Sequence, residues 1–232
     1  SRSFAVMGVS RLYASAAPVR SGAERATLVR RTYSLVFVGV LVTMLGVAFA
    51  ATQPALLGFV AQHPFISAIA TFVPLIAAQS MRDRFPANIG LTLAFTFAEG
   101  VFLAPYLLFM ESRQPGIVGQ TALLTGSTFA VLTAYAFVTR RDFSAWGSFL
   151  VTGLWVLIGT SLLNMFFHNQ TAGLWIAGVG TLLFSGLLVF DTWRLRNVYG
   201  PNDYVLAAVQ IYLDLLNLFL FILRLLGGGR RN

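Results

Sequence analysis

Apolar blocks alternate with short polar connectors along the whole chain, at residues 33–52, 64–81, 89–110, 120–139, 146–167, 173–193 and 204–226. Each is long enough to cross bilayer hydrocarbon, which takes about 20 helical residues. The connectors carry turn or charge signals, among them Gln53-Pro54, residues 82–86 and 111–116, Arg140-Arg141-Asp142, His168-Asn169-Gln170 and Gly200-Pro201-Asn202-Asp203. The pattern predicts an all-α integral membrane protein of seven transmembrane helices. Residues 32–228 form that single domain, between a polar arginine-rich segment at 1–31 and a basic tail at 229–232.

Composition supports the same reading, because 57% of the 232 residues are hydrophobic and only 10% are charged. A soluble domain of this length has too little interior to hide that much apolar surface. All sixteen basic residues are arginine, for a formal charge of +8, but they lie between apolar blocks and at the chain ends rather than in an aromatic-interleaved patch. That placement argues against nucleic acid as a partner. With no cysteine there is no disulfide framework and no thiolate metal site or nucleophile.

Arginines in alternate connectors set an expected orientation. Arg2, Arg11, Arg20, Arg25, Arg30 and Arg31 precede the first span, and Arg82, Arg84, Arg140, Arg141, Arg194 and Arg196 fall in the second, fourth and sixth connectors, against Arg113 and Arg224, Arg230 and Arg231 on the other side. The positive-inside rule then puts the amino terminus in the cytoplasm, and seven spans put the carboxyl terminus outside, where its basic tail runs against the rule; an even count, with one span re-entrant, removes that conflict. A bacterial plasma membrane is the expected location. Residues 1–29 read as a cytoplasmic tail, although their Ser, Ala and Arg content, acid-free until Glu24, also fits a mitochondrial presequence and hence a mitochondrial inner membrane.

Intramembrane hydrolysis needs an activated serine, a catalytic carboxylate pair or a metal held by His and Glu, and no such set is assembled. The two histidines, His63 and His168, fall at predicted helix ends without an H-E-x-x-H pattern. No enzyme is expected.

The intramembrane acids carry the more informative chemistry, since an acid at that depth is costly and marks a functional site by default. Gln210, Asp214, Asn217 and Arg224 share an arc of roughly 80° on the last span at 100° per residue. Folding a hairpin at the Gly200-Pro201 turn brings Asp191 and Asp214 to similar depth, about 12 to 17 Å from the turn at 1.5 Å per residue. Two carboxyls held together out of water share a proton and titrate as one unit. The competing reading pairs Asp191 with Arg194 or Arg196 and Asp214 with Arg224, as structural contacts. Glu99 lies near the centre of the third span with Thr92 and Thr96 on its face. It is either an interior hydrogen-bonded carboxyl or part of an ion path.

The segment Ile211-Tyr212-Leu213-Asp214-Leu215-Leu216-Asn217-Leu218-Phe219, followed by Leu225-Leu226-Gly227, resembles the terminal-helix signature of the Bax inhibitor-1 family. Phe190-Asp191-Thr192 is similar to the aspartate motif of that family's sixth helix, and Gly126-Ser127-Thr128-Phe129, Asp142-Phe143-Ser144 and Asn164-Met165-Phe166 add further matches over about residues 30 to 228. The resemblance implies a seven-helix bundle with the last helix central and a calcium leak controlled by a pH-sensitive aspartate pair. In this sequence the pair is Asp191 and Asp214, which would also meet the passing calcium. Arg82, with Arg84 as the alternative, matches a basic residue that interacts with them. Trp193 and Thr71 depart from a glutamine often found in the family and a glutamate of some bacterial members respectively; if that glutamate belongs to an ion path, either Glu99 substitutes for it or the protein conducts poorly.

Taken together, the expected function is a pH-sensitive, calcium-permeable leak channel, acting as a monomer in a lipid bilayer without a bound cofactor. Calcium ions and protons are its partners, and Glu99, Asn217 and Gln210 are candidates for the ion path. The alternatives are a cation/proton antiporter and a non-conducting regulator of a membrane-embedded protease or other membrane protein.

Overall fold

The computed structural model describes residues 22–80 and 84–228, which are helical apart from short connectors. In chain order the helices are α1 (Gly22–Ala51), α2 (Pro54–Gln62), α3 (Pro64–Ser80), α4 (Ala87–Arg113), α5 (Ile117–Val138), α6 (Trp146–Phe167), α7 (Gln170–Asn197) and α8 (Tyr204–Gly228). Six of them, α1 and α4 through α8, are long and apolar enough to cross a membrane. This is a multi-span membrane protein. Most of the amino-terminal segment, the tail from residue 229 and Arg82 lie outside the described residues.

Two elements differ from the pattern read off the sequence. The first helix begins at Gly22 rather than near residue 33, because residues 22–32 contain no helix breaker and a helix in progress continues through polar residues at no great cost. The second apolar block is preceded by a nine-residue helix, α2, and the α2–α3 pair is bent by 106° at His63. Pro54 and Pro64 each open a helix, the position where a missing N–H is harmless, and Pro64 prevents α2 from running on.

Outward faces carry large apolar side chains, including Phe37, Ile69, Leu123, Trp155, Phe167 and Leu182, each more than 60% exposed. In water that surface would be untenable; in lipid it is the contact surface. Inside, α8 packs against α1, α4, α5 and α7, while α4 packs against α1, α2, α3, α5 and α8. One apolar cluster joins Leu28, Leu35 and Val36 of α1 to Leu188 and Leu195 of α7 and Ile211 of α8. A second, formed by Leu103, Leu107, Ile117 and Leu223, closes the opposite end.

Polar contacts finish the helix ends. Both Glu111 oxygens accept backbone N–H groups opening α5, from Gly116 at 2.6 Å and Val118 at 3.1 Å. At the other end of α5, Arg196 Nη1 of α7 donates to the carbonyls of Ala136, Phe137 and Thr139 at 3.2, 2.8 and 2.9 Å. A cation there meets the negative end of the helix dipole as well as its orphan carbonyls. Arg196→Met keeps the length and removes the donors, so it is expected to cost about 2 kcal/mol, the range for hydrogen bonds to a charged group. Thermal unfolding in detergent measures this, and an unchanged midpoint would show that the contact contributes nothing.

Candidate functional site

The α7–α8 hairpin is closed by its turn: the Asp203 N–H donates to the Gly200 carbonyl at 3.1 Å, and the Gly200 N–H donates to Asp203 Oδ2 at 2.8 Å. An aspartate bonding back to the backbone is what fixes such turns. From there the two helices run back antiparallel, and Asp191 and Asp214 meet with their carboxyls within side-chain hydrogen-bonding reach of one another. Both are buried, at 7% and 6% exposure. Two ionised carboxyls cannot hydrogen-bond, and in that state Asp214 Oδ2 is a buried oxygen with no donor. A single shared proton satisfies the contact.

The cation beside the pair is Arg194, whose Nη1 donates to Asp191 Oδ1 at 3.0 Å. Its guanidinium also lies over the Tyr199 ring, 4.9 Å from the centroid, and near Phe190 at 5.7 Å. Tyr199 in turn donates its hydroxyl to Gln210 Oε1. Burial raises the Tyr199 hydroxyl above the ordinary tyrosine range, so it remains a donor. On the α1 side, Tyr33 Oη and Thr192 Oγ1 are 3.2 Å apart, which ties the first helix to the residue next to Asp191.

Glu99 belongs to a different cluster. Thr92, Thr96 and Glu99 are all buried on one face of α4, and the Thr43 hydroxyl of α1 lies 3.0 Å from the Thr96 carbonyl, 2.9 Å from its own Gly39 carbonyl and 2.7 Å from the Tyr212 hydroxyl. Tyr212 also packs edge-on against Phe95 of α4, with ring centroids 6.0 Å apart. Tyr212 and Asp214 are two residues apart on α8, so they point about 200° apart around the helix. The last helix therefore separates the two acidic sites.

Of the other residues singled out in the sequence, Gln210 joins the aspartate site through Tyr199, whereas the Asn217 amide donates to the Leu213 carbonyl of its own helix at 2.8 Å. Arg84 is exposed at the start of α4's approach. Thr71 donates to the Ser67 carbonyl within α3 at 2.8 Å, and Trp193 stacks on Phe190 at 6.1 Å. His168 caps α6 in the left-handed conformation at φ 52°, and His63 rests against Phe59, with ring centroids 4.9 Å apart. Arg194 was visible in the sequence only as a partner at the helix end; its i, i+3 spacing from Asp191 was the available signal, and Tyr199 had none.

Comparison with known proteins identifies the family. The family described as Inhibitor of apoptosis-promoting Bax1 matches residues 25–232. The chain belongs to the Bax inhibitor-1 family. Mouse protein lifeguard 4 is 34% identical over 87% of this chain and 85% of its own length. The Golgi anti-apoptotic protein of vaccinia virus strain Lister is 33% identical over 92% and 90%, and an uncharacterised protein of Campylobacter jejuni is 31% identical over 88% and 89%. In this Bax inhibitor-1 family member, the terminal-helix motif contributes Asp214 to one polar cluster and Tyr212 to the other.

Proposed function

We propose that this protein is a pH-sensitive, calcium-permeable leak channel, with Asp191 and Asp214 as the proton-controlled site and Arg194 as the cation that competes with the permeating ion for it. The observation that carries the reading is two carboxyls facing each other inside a lipid-facing bundle, where an uncompensated charge is costly. A second proton, a metal ion or an arginine compensates the second charge equally well, which couples proton occupancy to cation occupancy.

Two carboxylates also suit passage better than storage. Bound calcium takes six to eight oxygens, and among the described residues no group of three or more His, Cys, Asp or Glu gathers. Water and backbone carbonyls complete the shell only briefly. Glu99, Gln210 and Asn217 act as path residues in this scheme. The α2–α3 pair counts as one broken span, giving seven with the last helix central, the amino terminus cytoplasmic and the bacterial plasma membrane as the location.

The test is calcium entry into dye-loaded proteoliposomes of wild type beside Asp214→Asn. A wild-type rate no faster than that of protein-free vesicles would remove the channel reading. Exchange driven by an imposed proton gradient would move the protein to the antiporter class. A second reading, a non-conducting regulator of another membrane protein, draws on the anti-apoptotic role in the name of the viral relative and on α6, which packs mainly against α7 and leaves most of its surface outward. It requires silent liposomes together with copurification of a membrane partner.

Orientation has its own check. Reporter fusions after Arg141 and after Arg231 are expected on opposite sides of the membrane. Both on the cytoplasmic side would make the α2–α3 pair re-entrant and reduce the count to six.

A further inference from the structure

At the end of the bundle away from the α7–α8 turn, two cavities share Tyr106 of α4 and Arg224 of α8. The first, about 420 Å³, is walled by apolar side chains of α2, α3, α4 and α8, among them Val60, Phe102, Leu103 and Leu220. The second, about 390 Å³, is polar at its mouth and lined by Arg113, Gln114, Gln170 and Arg224. Among the described residues, no acid lines either one. Glu111, the acid nearest Arg113 in sequence, directs both oxygens to the backbone of α5.

Arg224 is not engaged by Asp214. Ten residues along α8 put it about 15 Å away, and it packs instead where α7 is reduced to Gly173: a Cβ there would come within 2.6 Å of Arg224 Nη2. Arg113 rests on the Phe109 ring at 5.0 Å, with its charge exposed. Two arginines at a helix-end interface, joined to an apolar slot, suit a phosphate carried on an acyl chain.

We infer that this paired cavity is a binding site for an anionic phospholipid, with the phosphodiester held between Arg113 and Arg224, Gln114 and Gln170 at the headgroup, and an acyl chain along Phe102, Leu103 and Leu220. The site is independent of the aspartate pair and of the leak. Its occupant wedges between the bent α2–α3 pair and the α4–α8 core.

The test uses the purified full chain in detergent, titrated with dioleoyl phosphatidylglycerol while thermal unfolding and native mass spectrometry are followed. Wild type is expected to retain one lipid and to gain stability as lipid is added. Arg113→Gln and Arg224→Gln are each expected to weaken binding about tenfold, the scale of one charge-assisted hydrogen bond. Arg140→Gln with Arg141→Gln, exposed at the other end, leaves it unchanged. Gly173→Ala, which displaces Arg224 without removing charge, weakens it as well. Equal binding by the double variant Arg113→Gln, Arg224→Gln would overturn the site. So would an equal effect of inorganic phosphate, which lacks the acyl chain, or of dioleoyl phosphatidylcholine, whose headgroup has no net charge. Loss of binding in the Arg140, Arg141 control would show that surface charge alone was responsible.

Discussion

Calcium flux through the wild-type protein is expected to change by roughly tenfold across about two pH units, the response of a two-state opening governed by one proton. Asp191→Asn and Asp214→Asn are each expected to flatten that response. On the acid side of the transition the pair carries one proton and one charge, and that charge is already matched by Arg194 at 3.0 Å from Asp191. On the alkaline side a second charge appears at Asp214, whose Oδ2 is buried without a donor. The added charge must draw in a cation, pull Arg194 off Asp191 or separate α7 from α8. Each of these rearranges the contact between Asp191 and Asp214. An asparagine at either position never develops the second charge, so the pH dependence vanishes even where a residual leak persists. Arg194→Gln removes the competing cation and is expected to displace the transition along the pH axis while keeping its steepness. Flux measured from about pH 5.5 to 8.5, at matched protein per vesicle, checks all three. A wild-type rate that is level over that range, or a slope that survives both asparagine substitutions, would take the pair out of the mechanism.

The meeting of Asp191 and Asp214 was legible in the sequence because it is a hairpin contact. Equal distances from one turn, at 1.5 Å per residue, fix two depths without any knowledge of the rest of the fold. The buried face of Thr92, Thr96 and Glu99 was legible for a similar reason, since helical periodicity alone places the three together. Tyr212 and Thr43 were not, because their hydroxyls are 169 residues apart in the chain and meet only through the packing of α1, α4 and α8. Arg194 and Tyr199 were hidden differently. An arginine three residues after an acid at a helix end is an ordinary surface pair, and only the ring beneath its guanidinium and the carboxyl beyond distinguish it. The bend at His63 is not legible in the sequence, because residues 55–62 are too few to cross a membrane and fall between two blocks that are each long enough.

Gly100→Leu is expected to be the most destructive single change in the bundle, lowering stability by about 3 kcal/mol or more, as overpacking against rigid backbone does. A Cβ at Gly100 would strike the carbonyl oxygen of Thr43 and crowd the Val47 nitrogen, and one at Gly46 would strike the Phe97 carbonyl and come within 3.2 Å of the Gly100 Cα. These are main-chain atoms, so no rotamer change relieves the clash. Small residues at such a crossing are what let membrane helices approach closely. Forcing α1 from α4 also parts the Thr43 hydroxyl from the Thr96 carbonyl and from Tyr212, which dismantles the polar contacts around Glu99. Gly90 is the internal control: it lies on the same helix with open space around its Cα, so Gly90→Ala is expected to leave stability level or to raise it by up to about 1 kcal/mol through helix propensity. Thermal unfolding in detergent compares the two directly. If Gly100→Leu and Gly90→Ala unfold at the same midpoint, α1 and α4 do not cross at the distance described, and the contact of Thr43 with Thr96 falls with it.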